Sequence, residues 1–248
     1  MQRASPKFPC PLNLSIRVLL VSAWAISWSV SALAQAGAGV PAQAAAGASW
    51  TKAPVSFRAP AAGAQSRATG FNLGVSFGEI GRTDTFDDGY QTGGNSSYLD
   101  ATAGIVHPLA HALFWGADVH LVFPFQSATV QSTVTKLGTT GILEAMLGTP
   151  ANLADRPINL WATFGGAVGA VQSGYASPSY SYSDTETLKG VSVSVGGSMP
   201  VVSHIAVTTE IRYTDLFSGS FSTPGGGGSY GMSERGVSGS VGLQYQFR

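Results

Sequence analysis

Cysteine, charge and long apolar runs are what this sequence has little of. The single cysteine is Cys10. It precedes an apolar run over 18–30 that reads as the centre of a secretory signal. A lipoprotein acceptor would have to follow that run, and cleavage removes Cys10, so the mature chain is expected to hold no thiol and no disulfide. Charged residues are 10% of the 248, whereas a soluble domain carries about 25%. The formal net charge is zero, which argues against nucleic acid as a partner, because a basic face is that partner's footprint. Beyond residue 34 no stretch reaches the ~20 apolar residues of a membrane helix. If such a chain spans a membrane, strands must do it.

The N-terminus carries Arg3, Lys7 and Arg17, then Leu19, Leu20, Trp24, Ile26 and Trp28, then Ala32-Leu33-Ala34. Basic residues, an apolar run and a small-x-small site make residues 1–34 a cleaved signal peptide. Residues 35–69 are rich in Ala, Gly and Pro without a sustained period, and read as a flexible leader. Residues 70–248 are the expected folded unit.

From Gly70 onward apolar residues recur at every second position, the period of a strand with one apolar face. Eight strands are predicted: about 70–81 (Phe71, Leu73, Val75, Phe77), 97–107 (Leu99, Ala101, Ala103, Ile105), 111–124 (Leu113, Trp115, Ala117, Val119, Leu121, Phe123), 136–148 (Leu137, Leu143, Ala145, Leu147), 157–172 (Leu160, Ala162, Phe164, Val168, Ala170), 187–198 (Val191, Val193, Val195), 204–215 (Ile205, Val207, Ile211, Tyr213) and the last twelve residues (Val237, Val241, Leu243, Tyr245, Phe247). Connections near 107–110, 149–156 and 199–203 are short. Those at about 82–96, 125–135, 173–186 and 216–235 are long and polar, and are expected to be loops. Alternating short and long connections are the habit of membrane barrels. The expected fold is therefore all-β, an eight-stranded antiparallel up-and-down transmembrane β-barrel.

Alternation alone does not say which face is outside. The second parity decides it. It holds Gly, Ala, Ser and Thr, with isolated charges at Asp118, Glu144, Glu210 and Arg212 near strand centres. A soluble barrel would carry Lys and Glu on its outer face. Small residues with a few charges suit a narrow lumen, where the charges pair. Asp118, Glu144, Glu210 and Arg212 are thus a candidate interior charge network, with His120 as a further cation. Two residues, Glu79 and Lys189, fall on the lipid parity and are expected near the outer rim, where charge costs about 0–1 kcal/mol. Glu210 and Arg212 could gate a lumen, but buried charges pair whatever their role. Narrow eight-stranded barrels are filled by side chains, so at most a narrow, cation-preferring pore is expected.

Metal and nucleotide readings are weak, and no metal or cofactor is expected. His107 and His111 are four apart, but Pro108 denies them a helix face. Asp84, Asp87, Asp88 and Gly89 lack the spacing and closing Glu of a calcium loop. Gly165-Gly166-Ala167-Val168-Gly169 opens no helix, so it is not a dinucleotide fingerprint.

Several segments resemble a known group. Gly70-Phe71-Asn72-Leu73-Gly74-Val75-Ser76-Phe77-Gly78 after the Lys52-Ala53-Pro54 leader, Thr209-Glu210-Ile211-Arg212-Tyr213-Thr214-Asp215-Leu216, and the terminal strand are similar to the outer membrane protein A-like barrel superfamily. The small porin-family proteins of alphaproteobacteria, often labelled outer membrane immunogenic proteins, are nearest in style. The resemblance covers roughly 70–248. It implies a Gram-negative outer-membrane location and contact with outer-membrane lipids and lipopolysaccharide. It also implies delivery by the barrel-assembly machinery, with Val241, Leu243, Tyr245 and Phe247 on the assembly-signal strand. In that group the aromatic is usually last; here Arg248 follows it. No peptidoglycan-binding domain is expected after the barrel. The implied role is structural or surface-interacting, with a small cation-preferring channel as the alternative. Barrel enzymes that edit lipid A are the third class. Their deacylase type carries His-x-Ser, whereas the histidines here read His107-Pro108-Leu109, His111-Ala112-Leu113, His120-Leu121-Val122 and His204-Ile205-Ala206. Their palmitoyltransferase type has an amphipathic N-terminal helix, and 35–69 shows no such period. No enzyme activity is expected.

Overall fold

A computed structural model describes residues 69–109, 113–125, 128–130, 133–153, 156–177, 180–223 and 228–247. The signal, nearly all of the leader, Cys10, His111 and Arg248 lie outside the described residues. Among the described residues nine strands follow in order: β1 (Gly70–Phe86), β2 (Gln91–Pro108), β3 (Phe114–Pro124), β4 (Ala128–Val130), β5 (Thr133–Leu153), β6 (Arg156–Ser177), β7 (Tyr180–Val202), β8 (Ile205–Ser222) and β9 (Ser229–Phe247). The pairing runs β3-β2-β1-β9-β8-β7-β6-β5, and β3 also pairs with β5, which closes a ring of eight antiparallel strands. The three-residue β4 pairs only with β5 and stands above the ring.

The ring closes where the chain's first and last strands meet. Phe71 faces Phe247 and Phe77 faces Val241 across the β1–β9 ladder, so neither strand leaves an unpaired edge. The Phe71 and Phe247 rings lie 5.6 Å apart on the outside of this seam.

Exposure shows which face is which. Phe71, Leu73, Val75 and Phe77 are 43–56% exposed, whereas the intervening Asn72 is 2% exposed. Leu143 and Phe164 are more than 60% exposed, beside fully buried Glu144. The apolar parity therefore faces out and the polar parity faces the lumen. On β9 the outward column runs from Val237 to Phe247. At ~3.3 Å per residue and a tilt near 40°, these ten steps give an apolar band about 25 Å tall, the height of a membrane barrel's belt.

Beyond the belt the polarity reverses. The long connections predicted as loops are mostly paired strand. Arg82, Thr83, Asp84 and Thr85 face Gly94, Gly93, Thr92 and Gln91, leaving a turn of only about 87–90. The β6–β7 ladder continues to Ser177 and Tyr180, and β8 pairs with β9 as far as Ser222 and Ser229. The backbone ladder needs no apolar face to persist, so polar side chains did not stop it. In this crown Leu188, Phe221 and Met232 are buried in the lumen, and Thr83, Thr185 and Thr187 face out. Hydroxyls point out, as in a soluble barrel, and the lumen takes up apolar residues around the buried Arg82, Asp84 and Glu234.

Two bulges shift the phase locally, on β5 and β8; β1, β7 and β9 cross the same boundary without one. The β5–β6 register shifts between Leu137 and Thr140. The shift turns Leu137 inward, where it is 5% exposed, correcting its expected place on the lipid face beside Leu143. A second shift lies between Leu216 and Gly219 on β8. An extra residue against the partner strand flips the parity beyond it.

Candidate functional site

The lumen is stacked in layers. At the end where β9 finishes, Val106, Phe114 and Met146 pack together with Trp161. Gly148 makes this possible, because the Phe114 ring occupies the space its side chain would fill. Above lies a charged layer. Above that, Ile80, Tyr98, Val122, Leu137, Ile142 and Leu216 form the lower part of an apolar cluster that continues to Phe221 and Met232.

Arg212 is the hub of the charged layer. Its Nη2 lies 2.7 Å from Glu210 Oε1, its Nε 3.5 Å from Glu144 Oε1 and its Nη1 3.5 Å from Asp100 Oδ2. Nη2 also lies against the His120 ring, 2.9 Å from Nδ1 and 3.0 Å from Nε2. One guanidinium on β8 thus binds groups on β2, β3 and β5, across the lumen. Glu144 also accepts hydrogen bonds from Ser192 Oγ (2.6 Å) and Thr163 Oγ1 (2.8 Å). His120 Nδ1 sits 2.9 Å from Asp100 Oδ2. Small hydroxyl residues on β6 and β7 leave room for the charges and supply their remaining hydrogen bonds.

Of the four residues picked from the sequence, the structure joins Glu144, Glu210 and Arg212. Asp118 is buried at 5% exposure, and its direct cross-strand partner is Glu144, another acid. Its Oδ1 accepts no hydrogen bond among the described residues. Asp118 instead borders a lumen cavity of about 40 Å³ with Asp100, His120 and Glu210, room for two or three water molecules. Asp100 completes the network and was not singled out from the sequence. Its signal was parity: it lies between outward Leu99 and Ala101, so it must point inward.

A second charged set lies in the crown. Arg82 Nη2 donates to the Thr135 carbonyl and hydroxyl. Asp84 Oδ2 accepts from Thr135 Oγ1 and from Thr92 Oγ1 at 3.1 Å. Arg82 Nη1 is 3.7 Å from Glu234 Oε2, and Glu234 faces Asp84 directly across the β1–β9 ladder. Burial, then the Asp84 charge, push the Glu234 carboxyl up to about 8, against the pull of Arg82. Phe86, Phe221 and Tyr230 stack over this set, with centroids 5.6–5.9 Å apart.

The acids Asp84, Asp87 and Asp88 do not converge. Asp84 points into the lumen, Asp87 accepts the Gly231 amide, and Asp88 Oδ1 accepts the Tyr90 amide at 2.9 Å. His107 Nδ1 meets Thr69 Oγ1 at 2.6 Å, and His204 stacks on Tyr245. Both lie at the end where β9 finishes, far from the crown. Gly165 lies in the β6 wall, with the Leu143 carbonyl where its side chain would stand. Val241, Leu243 and Tyr245 pair between β1 and β8, and Phe247 pairs with Phe71 of β1. Glu79 and Lys189 both face outward, at the top of the belt.

No family model matches this sequence and no curated protein matches it. Solved structures of similar fold include the outer membrane protein OprG from Pseudomonas aeruginosa. It is 14% identical, with a TM-score of 0.49, over 73% of this chain and 97% of that one. Neisserial surface protein A is 13% identical, with a TM-score of 0.39, over 71% and 97%. The attachment invasion locus protein of Yersinia pestis is 8% identical, with a TM-score of 0.40, over 71% and 98%. At these values the likeness is one of fold alone; the eight-stranded ring rests on the strand pairing itself.

Proposed function

We propose that this chain is an outer-membrane β-barrel of a Gram-negative envelope: a sealed wall element that holds a rigid crown above the bilayer. The observation that carries the reading is the reversal of polarity along the wall, apolar-out over about 25 Å and hydroxyl-out beyond it. The even number of strands leaves both ends of the described barrel on one side, which this reading takes as periplasmic, with the crown outside. The sealed lumen favours a structural or surface-interacting role over conduction. Arg212 and its acids block the middle, and the apolar cluster from Ile80 to Met232 closes the outer half. We further place the chain beside the outer membrane protein A-like barrels, on the Gly70–Gly78 and Thr209–Leu216 segments. Catalysis is not part of this reading: His120 is tied to Asp100 and Arg212 inside the lumen, and His107 and His204 lie at the periplasmic rim.

Planar-bilayer recording of the refolded protein tests the sealed lumen. A silent bilayer is expected, and a steady, cation-selective conductance would overturn it in favour of a channel. Mass spectrometry of lipid A from cells with and without the gene tests the absence of lipid chemistry; a changed acyl pattern would contradict it.

A further inference from the structure

The basic residues of the barrel are not spread evenly. Arg82 and Arg212 point into the lumen, and Arg156 begins β6 at a periplasmic turn. The other described basic residues are Lys136, Lys189 and Arg235, and all three are exposed on the outside of the wall. Each stands where the apolar column of its strand ends. On β7 the outward series is Val195, Val193, Val191 and then Lys189; on β9 it is Leu243, Val241, Gly239, Val237 and then Arg235. On β5 it is Leu147, Ala145, Leu143, then Gly141 and Thr139 and, past the bulge, Lys136. The cations thus mark one boundary, on three alternate strands.

Local chemistry prepares this boundary for an anion. Asp215 Oδ2 holds Arg235 through Nε at 3.2 Å, while the arginine side chain stays 62% exposed. That contact fixes the guanidinium and leaves its two Nη groups forward, the edge that grips phosphate. Of the outward acids, Asp215 offsets part of the Arg235 charge, and Glu79 faces Gly239, four residues nearer the periplasm than Arg235, so Lys136 and Lys189 carry the net positive charge of the boundary. Above the cations the outward face is rich in hydroxyls and amides, among them Thr185, Thr187, Asn95 and Ser220, with an acid, Asp87, held beside Gly231 near its top. Such a face suits sugars, which exchange hydrogen bonds without needing charge.

We propose that Lys136, Lys189 and Arg235 form a phosphate-binding belt for the phosphorylated glycolipid of the outer leaflet, with its sugars lying against the hydroxyl face above. This inference rests on the outer-membrane reading and names the lipid class that the wall recognises. Phosphates sit at the top of the apolar layer, where the three cations stand. Long Lys and Arg stems reach such a boundary along apolar surface.

The test uses the full mature chain refolded in detergent micelles and titrated with diphosphoryl lipid A. Dephosphorylated lipid A and phosphatidylglycerol serve as comparison lipids. Replacing Lys136→Gln, Lys189→Gln and Arg235→Gln together is expected to weaken diphosphoryl lipid A binding at least ~10-fold, as loss of charge-assisted bonds requires. Arg156→Gln, which removes a single positive charge at the other rim, is expected to leave it unchanged, whereas each of the three belt replacements alone is expected to weaken it. Dephosphorylated lipid A should bind the wild type and the triple variant alike. Lys136→Arg with Lys189→Arg keeps the charges, guards against a folding artefact, and should keep the binding. Equal binding of diphosphoryl lipid A by the wild type and the triple variant overturns the belt. So does phosphatidylglycerol binding as tightly as lipid A. Insertion into lipid vesicles, scored by heat-modifiable migration, tests the membrane reading separately: a chain that inserts but ignores lipid A overturns only the belt.

Discussion

One step along β7 has opposite meanings in the two halves of the molecule. In the belt, Val193 at 40% exposure faces out and Ser192 at 0% faces the lumen. In the crown, Thr187 faces out and Leu188 at 2% is core. The same ladder and period carry both halves; only the solvent outside has changed. Hydrocarbon takes the apolar side chains where it is the neighbour, so the lumen must house the polar ones and satisfy them by pairing. Where water is the neighbour, apolar side chains such as Leu188, Phe221 and Met232 are buried again, packed around the paired Arg82, Asp84 and Glu234. The strand does not register the boundary. The side chains do.

The largest effect should come from breaking the belt's interior. Arg212→Met leaves Asp100, Glu144 and Glu210 buried without their shared cation, and is expected to cost about 3–5 kcal/mol in urea unfolding from lipid vesicles. A loss under about 1 kcal/mol would mean that water, not Arg212, supports these acids. Next in size is the outer face. Val193→Arg should cost about 2–4 kcal/mol near the bilayer middle, whereas Thr185→Arg in the crown should stay within about 0.5 kcal/mol. Equal costs at the two sites would erase the difference between belt and crown.

A smaller effect, confined to the crown, depends on pH. The Glu234 carboxyl, raised to about 8 in the fold, holds a proton that the unfolded chain gives up in the ordinary carboxylate range. The folded state then binds more protons between those values, so stability falls as pH rises from about 4.5 to 8 and levels off above. Glu234→Gln is expected to flatten that slope, read by amide exchange of the β1–β9 ladder at pH 6 and pH 9. An unchanged slope would place the titrating group elsewhere. The smallest expected effect is Asp118→Asn. Because Asp118 makes no ion pair among the described residues and faces Glu144, the change should be near neutral or stabilising in the same urea assay.

The belt was legible in the sequence because Phe71 to Phe77 and Val191 to Val195 alternate against small polar residues without a break. The crown was not. There Leu188, Phe221 and Met232 sit on the inward parity among serines and glycines, and a reader following apolar-out alternation sees only a polar connection. The bulges at Leu137/Thr140 and Leu216/Gly219 break the phase just where the solvent changes, which is why Leu137 was assigned to the wrong face. Glu210 and Arg212 could be paired from their spacing of two. Asp100 and the Arg82–Asp84–Glu234 set could be placed inward by parity. Their partners across the lumen could not, since local spacing says nothing about which walls face each other.

The most direct test of the reversal is a depth scan. Single cysteines labelled with a fluorophore would be placed along β9 at Leu243, Val241, Ser240, Ser233 and Ser229 in a mature chain refolded into vesicles with nitroxide-labelled lipid. Strong quenching is predicted at Leu243 and Val241, weak quenching at inward Ser240, and almost none at Ser233 and Ser229 beyond Arg235. Quenching at Ser229 as strong as at Leu243, or absent from both, would contradict a strand that leaves the bilayer at Arg235.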